Sequence, residues 1–316
     1  MRLVRQLGLA GLLLLAVTVV AFALTDLLPG DPAVAILGDQ ATPQAVKELH
    51  ISLGLDRPIY QRYFIWLEKA ASGDLGHSYR TNESVSTLIA QRLPVTLELL
   101  ILTQVFALLL ALPLGILSAY RRGSAVDRAI GQLCMTLLSM PPYLVGILLI
   151  YGIAVSAGLL PASGYVDMGE GVGGNLRTMF LPTATLALSE FPIYLRLLRT
   201  DLIQTLQQDF VMVARAKGLR PTAILFRHAL KPSSFSLITV IGVNVGRLIG
   251  GTVVIETLFA LPGIGQLLVS AVYQHDQFTM QGIILTIATA FIFINLGIDA
   301  LYALLDPRVL HAGGEK

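Results

Sequence analysis

Ala214-Arg215-Ala216-Lys217-Gly218-Leu219-Arg220-Pro221-Thr222-Ala223-Ile224-Leu225-Phe226-Arg227-His228-Ala229-Leu230-Lys231-Pro232 holds five of the chain's 22 Lys and Arg residues. It interrupts a sequence that is 54% hydrophobic and 13% charged, where a soluble domain carries about 25% charged residues. Read as a helix from Asp201, the residues leading into it place Leu202, Leu206, Phe210 and Val213 at i, i+4, i+8 and i+11, a stripe on one face. Gly218 suits the position just past a helix end, where a left-handed conformation costs glycine nothing. Pro221 fits the start of a second short helix carrying Ile224, Leu225 and His228, which Pro232 stops. The expected form is a helix-turn-helix elbow with Ala214 and Ala216 near its bend.

The sequence around this elbow belongs in a bilayer. Over 316 residues the mean hydropathy is +0.72, more than a soluble core can use. A spanning helix needs about 20 mostly apolar residues, and six segments qualify: 6–27, 95–120, 129–153, 179–199, 234–256 and 279–304. Lys and Arg accumulate on the cytoplasmic side of short loops. Arg2 and Arg5 precede the first span, Arg121, Arg122 and Arg128 lie between the second and third, and the elbow lies between the fourth and fifth. Both termini are therefore expected in the cytoplasm. The first span has a rival reading as a signal peptide cleaved after Ala21-Phe22-Ala23, but 20 uncharged residues from Gln6 to Thr25 exceed the ~7–15 usual for such a segment. The division that follows is a first span over 1–27, an external segment over 28–94, a five-helix core over 95–306 containing the loop 200–232, and a cytoplasmic tail over 307–316. Within the external segment, Thr42 or Pro43 starts a helix with Val46, Leu49 and Leu53 on one face, and Tyr60, Tyr63, Phe64 and Trp66 mark an aromatic interfacial helix.

Several chemistries lack support. A net charge of +2 does not suggest nucleic acid as a partner. The lone Cys134 excludes an intrachain disulfide and reads as a small packing residue. No His-Glu-x-x-His, Gly-x-Ser-x-Gly or Cys/His cluster is present, so neither an enzyme nor a metal site is expected, and no Gly-x4-Gly-Lys-Ser/Thr loop exists to cradle a nucleotide. Energy for uphill transport must come from a partner protein or an ion gradient.

The elbow also carries a resemblance. Ala214-Arg215-Ala216-Lys217-Gly218-Leu219 and Arg227-His228-Ala229-Leu230 are similar to the cytoplasmic loop of the inner-membrane permease subunits of ATP-binding-cassette importers, in their dipeptide, oligopeptide and nickel branch. Leu27-Leu28-Pro29-Gly30-Asp31-Pro32, Leu53-Gly54-Leu55-Asp56-Arg57-Pro58, Gly73-Asp74-Leu75-Gly76 and Arg92-Leu93-Pro94-Val95-Thr96-Leu97-Glu98-Leu99 extend the likeness. Ile249-Gly250-Gly251-Thr252-Val253-Val254-Ile255-Glu256, Pro262-Gly263-Ile264-Gly265 and Asp306-Pro307-Arg308 continue it, so it covers nearly the whole chain. Met212, Val213 and Lys231 depart from the general loop motif. His275-Asp276-Gln277-Phe278 stands where an Arg-Asp-x-Pro-like run is common, and Glu190 occupies a position that is usually uncharged.

The resemblance implies an all-α membrane protein with six transmembrane helices of the type I importer permease kind and a small external segment after the first. It implies a coupling role for Ala214, Arg215, Ala216, Lys217, Gly218, Leu219, Arg227 and His228. Implied partners are a homologous second permease subunit, two cytoplasmic ATPase subunits holding ATP and magnesium, an external solute-binding protein and membrane lipid. The implied location is a bacterial inner membrane and the implied cargo is peptide, with nickel or a metal chelate as the alternative. An ion-gradient-driven carrier using Glu190 and Asp299 as relays and a non-transporting membrane scaffold are further alternatives.

Intramembrane charge is costly and points to function or to pairing. Glu98, Glu190, Arg247 and Asp299 are the candidates for a passage, with interfacial placement of Glu98 and structural pairing of Arg247 and Asp299 as the competing readings. Gly242, Gly246 and Gly250 recur at four-residue spacing, a seam either within the chain or toward the second permease. Pro141 and Pro142 must kink or break the third span.

Overall fold

The computed structural model describes residues 2–27 and 31–305, and their secondary structure is helical apart from one isolated antiparallel bridge, His77 to Ser84. In chain order the helices are α1 (Arg2–Asp26), α2 (Pro32–Leu37), α3 (Pro43–Leu53), α4 (Ile59–Ala71), α5 (Val85–Tyr120), α6 (Ala125–Leu138) and α7 (Pro142–Leu149). There follow α8 (Val172–Thr205), α9 (Asp209–Ala216), α10 (Pro221–Ala223), α11 (Leu230–Ser233), α12 (Phe235–Leu258), α13 (Ile264–Tyr273) and α14 (Gln277–Leu305). Two π-helical stretches, Ile150–Ser156 and Ile224–Ala229, prolong α7 and α10.

Among the described residues, four helical stretches are long and apolar enough to cross a membrane: Gly8–Thr25, Val85–Tyr120, Ser236–Leu258 and Gln277–Ile298. A fifth crossing results if α6 and α7, with its π-helical extension, form one span, bent by 105°. The bend falls at the expected proline pair. Pro141 precedes α7 in an extended conformation and Pro142 starts it, because a proline cannot donate to the preceding turn and disfavours helix in the residue before it. The expected fourth span, 179–199, falls in α8, which runs unbroken through Pro182 and Pro192. Its charges Glu190, Arg196, Arg199 and Asp201 and its buried middle, Leu181 to Ala187, mark a helix surrounded by other helices rather than by lipid. α5 begins at Val85, ten residues before the expected span, and includes Pro94.

The described residues pack as two compact units, those within 1–96 with 262–293, and 97–261 with 294–305. In the first, Thr42 caps α3 by accepting the Ala45 N–H (3.3 Å), the start that the sequence predicts, and Gly54 ends it at φ +68°. Residues 28–30 lie outside the described residues; Asp31 caps α2 through the Ala33 N–H (2.9 Å) and meets His50 Nε2 at 2.7 Å. The aromatic helix is α4, whose Trp66 is buried among rings with Phe22 and Tyr63, while the Tyr63 hydroxyl shares a hydrogen bond with Thr18 (3.0 Å). Val85, Ile89, Ile264 and Ile283 form the apolar core. Buried Asp276 accepts hydrogen bonds from the hydroxyls of Ser78 (2.5 Å) and Thr279 (2.8 Å), pinning the 76–84 turn to the start of α14. Burial there, reinforced by Asp276 and opposed by Arg62, pushes the Tyr79 phenol up to about 12.

In the second unit the core joins four helices: Ala107 and Ala111 of α5, Ile130 and Cys134 of α6, Ala187, Phe191, Tyr194 and Leu195 of α8, and Leu237 of α12. Cys134 is fully buried there, the packing role expected of it. Alanines on α5 let α8 approach closely, so that α8 becomes the axis on which the functional elements hang.

Candidate functional site

The elbow is present, with its registers altered. α8 ends at Thr205, and an extended Gln208 (ψ 155°) restarts the helix at Asp209. This break overturns the expected continuous stripe: Leu202 is buried, but Phe210 and Val213 are exposed, and Val211 and Ala214 turn inward against Ile224 and Leu206. Gly218 lies where expected, just past the end of α9 and directly after its C-cap Lys217, at φ +75°. Its N–H bonds the Arg215 carbonyl (2.9 Å) and the Leu219 N–H bonds the Ala214 carbonyl (3.2 Å), which satisfies orphan carbonyls of α9. Pro221 starts α10 after an extended Arg220, also as expected.

Pro232 does not stop the second helix, which continues through Ser233. The carbonyl that a proline deprives of its partner lies four residues back, and here that residue is His228, inside the π-helical stretch Ile224–Ala229 where the bonding is already shifted. The shift turns Leu225 and Ala229 inward together, into a core with Ala119, Leu198 and Leu202. Buried Ser233 adds a hydroxyl bond to Thr205 (2.9 Å).

The elbow therefore has two faces. Val211, Ala214, Ile224, Leu225 and Ala229 fix it to α5 and α8. Phe210, Met212, Val213, Leu219 and Phe226 stand exposed, alongside Arg215, Ala216, Lys217, Gly218, Arg227 and His228, which are exposed as well. Five large apolar side chains exposed among basic residues on one short elbow are what a docking protein covers.

Close by is a constellation that the sequence reading missed. Asp127 of α6 receives both arms of the Arg199 guanidinium, Nε to Oδ1 and Nη2 to Oδ2, each at 2.8 Å. It also accepts the Ser118 hydroxyl (2.5 Å) and the Gly123 N–H (2.8 Å), while Ser118 takes a further bond from Arg199 Nε (3.0 Å). Every part of the carboxylate is engaged, and α5, α6 and α8 are tied together at one end. The legible signal is Ser124-x-x-Asp127, a serine cap with an acid three residues on; Ser124 Oγ does accept the Asp127 N–H (3.2 Å). The Arg199 partnership leaves no trace in local sequence.

The four candidate passage residues part company. Glu98 accepts the Tyr165 hydroxyl at 2.8 Å and its Oε1 is buried without a partner; burial first, and this bond to Glu98 second, push the Tyr165 phenol above its usual range. Glu190 and Arg247 come together, Nη2 to Oε1 at 2.9 Å. The Glu190 side chain keeps only 6% exposure, whereas that of Arg247 keeps 60%. The Tyr194 hydroxyl, one turn along α8, donates to Gln104 (2.9 Å). The Asp299 side chain lies outside the described residues, as does Asp306-Pro307-Arg308.

The glycine triplet divides too. A Cβ on Gly242 would sit 2.5 Å from Ile298, so this position serves a close helix approach within the unit. Gly246 is buried, and Gly250 opens onto empty space.

Comparison with known proteins matches residues 111–311 to the family described as binding-protein-dependent transport system inner membrane component, and residues 1–100 to the N-terminal family of such membrane components. A putative peptide transport system permease protein of Brucella abortus (strain 2308) is 38% identical over 296 residues, covering 94% of this chain and 94% of the relative. A di/tripeptide transport system permease protein of Pseudomonas aeruginosa (strain UCBPP-PA14) is 35% identical, covering 97% of this chain and 98% of its own length. Among solved structures, a chain of the inward-facing MetNI methionine ABC transporter shares the fold with a TM-score of 0.58 at 16% identity, over 69% of this chain and 96% of that one.

Proposed function

Because this chain belongs to the family of binding-protein-dependent transport system inner membrane components, we propose that it is the permease subunit of an ATP-driven importer carrying peptides across a bacterial inner membrane. Peptide is the cargo in the names of the relatives described above, and none of those is named for nickel. The chain supplies half of the passage and a homologous second permease the other half. Hydrolysis takes place on two separate cytoplasmic ATPase subunits, and an external binding protein delivers the cargo.

In this reading α1, α5, the bent α6–α7 pair, α8, α12 and α14 are six crossings. The basic loops support a reading with both termini and the elbow in the cytoplasm, among lipid headgroups, and residues 28–94 outside. The observation that carries the reading is the two-faced elbow. Its inward side packs on α5 and α8, so a displacement imposed on its exposed side by the ATPases is transmitted to α8 as a rigid body. α12 follows α11 after a single residue, Ser234, so it moves with the elbow as well. ATP-driven closure then switches the passage between outward and inward openings, two discrete packings rather than a continuous deformation.

Gly218 is the point at which to test it. A β-branched residue at φ +75° is strained by roughly 1–2 kcal/mol, while the space around Gly218 is open, so Gly218→Val distorts the turn without overpacking. In proteoliposomes the variant is expected to lose the ATPase subunits or to hydrolyse ATP with at least tenfold less peptide moved per ATP. Unchanged transport stoichiometry would remove the elbow from the coupling mechanism.

A further inference from the structure

Arg247 is the twelfth residue of the apolar stretch Ser236–Leu258, which is 23 residues long, and so sits at mid-membrane depth. Its side chain is nevertheless 60% exposed and, among the described residues, makes one hydrogen bond, to Glu190. A guanidinium is not left in hydrocarbon at that depth; it faces protein or a water-filled path. Its counterion is equally incomplete: Glu190 uses Oε1 for Arg247, and its Oε2 is buried with no partner. One member of the pair has donors to spare and the other an acceptor to spare.

We propose that this pair is a binding site for the two charged ends of the transported peptide, the Arg247 guanidinium taking its C-terminal carboxylate and Glu190 its N-terminal ammonium. The proposal rests on the peptide-importer reading above and deepens it. Every free peptide carries one carboxylate and one ammonium whatever its side chains, so a site that reads these ends accepts many sequences. The exchange is also charge-neutral. The Arg247–Glu190 bond is replaced by two bonds of the same kind to the two termini, which together bring no net charge into the membrane interior. Between cargoes the pair closes on itself and keeps both charges compensated. A cationic metal complex, by contrast, meets Arg247 as a like charge.

The test uses the complete transporter in liposomes, with its second permease, ATPases and binding protein. Uptake of a radiolabelled dipeptide and of its C-terminal amide is measured at concentrations saturating the binding protein, so that discrimination by that protein is common to wild type and variant. In Arg247→Gln, uptake of the free acid is expected to fall at least tenfold and that of the amide less than twofold. Arg247→Lys is expected to retain at least half of the free-acid uptake. Equal losses for acid and amide, or no loss for either, overturn the proposal. So does failure of Arg247→Gln to co-purify with the second permease, which makes Arg247 a subunit contact. If the wild-type complex takes up neither dipeptide, the peptide-importer reading itself has failed, and the inference falls with it.

Discussion

Among the described residues of the second unit are two ion pairs built from the same groups and finished differently. Asp127–Arg199 is a two-pronged bond with the carboxylate also held by Ser118 and the Gly123 N–H, its Asp side chain 9% and its Arg side chain 31% exposed. Glu190–Arg247 is a single bond with an unpartnered oxygen and a mostly exposed guanidinium. Removing charges from water is repaid only when the remaining donors and acceptors are satisfied. The first pair meets that condition inside the chain and reads as structure. The second does not, and its unmet valences are the reason to assign it to a ligand. A third pair, Asp31–His50 in the first unit, is about a third exposed on both sides, and water satisfies what the protein does not.

The contrast can be broken by substitution. Arg199→Ala leaves the Asp127 carboxylate buried without its counterion and is expected to cost about 3 kcal/mol, read as the largest fall in thermal unfolding midpoint of the detergent-purified complex. Arg199→Lys keeps the charge but not the fork and is expected to cost about 1–2 kcal/mol. The same exchange at Arg247 changes a single bond on an exposed side chain, with an expected cost below about 0.5 kcal/mol. Equal shifts for the two lysine variants would erase the distinction between the pairs.

A comparably small effect is expected at Asp31–His50. Burial works against ionisation of Asp31, but the hydrogen bond from His50 and that from the Ala33 N–H prevail and hold its carboxyl below the usual range. A depressed folded-state value means that the stabilisation is present above the unfolded carboxylate value of about 4 and is lost as pH falls through the folded value. The pair is solvent-screened, so His50→Ala is expected to destabilise α2 and α3 by less than about 1 kcal/mol at neutral pH. Hydrogen exchange of these helices should show that difference shrinking as the pH drops below about 4; a difference that grows there would reverse the assigned sign.

Legibility in the sequence followed the range of the interaction. Gly218 at a helix end, Thr42 starting α3, Pro221 starting α10 and the break at Pro141-Pro142 were all readable, because each depends on the chemistry or backbone limits of one or two adjacent residues. The stripe through Phe210 and Val213 was not. A three-residue break at Leu206–Gln208 resets the helical register, and nothing in those residue types announces it. Pro232 misled because a π-helical stretch four residues earlier accommodated it. The charges at Glu98, Glu190 and Arg247 were visible as anomalies in apolar runs, but which would pair was not. Glu190 and Arg247 are 57 residues apart and Asp127 and Arg199 are 72 apart.

The sequence by itself determined the solvent, the helices and the turn chemistry of the elbow, since hydropathy and backbone permissiveness are properties of single residues and short windows. Only the tertiary structure decided which charges compensate one another and which remain open. That outcome depends on how α5, α6, α8 and α12 pack, and a carboxylate's partners are set by a few ångströms that no local pattern encodes.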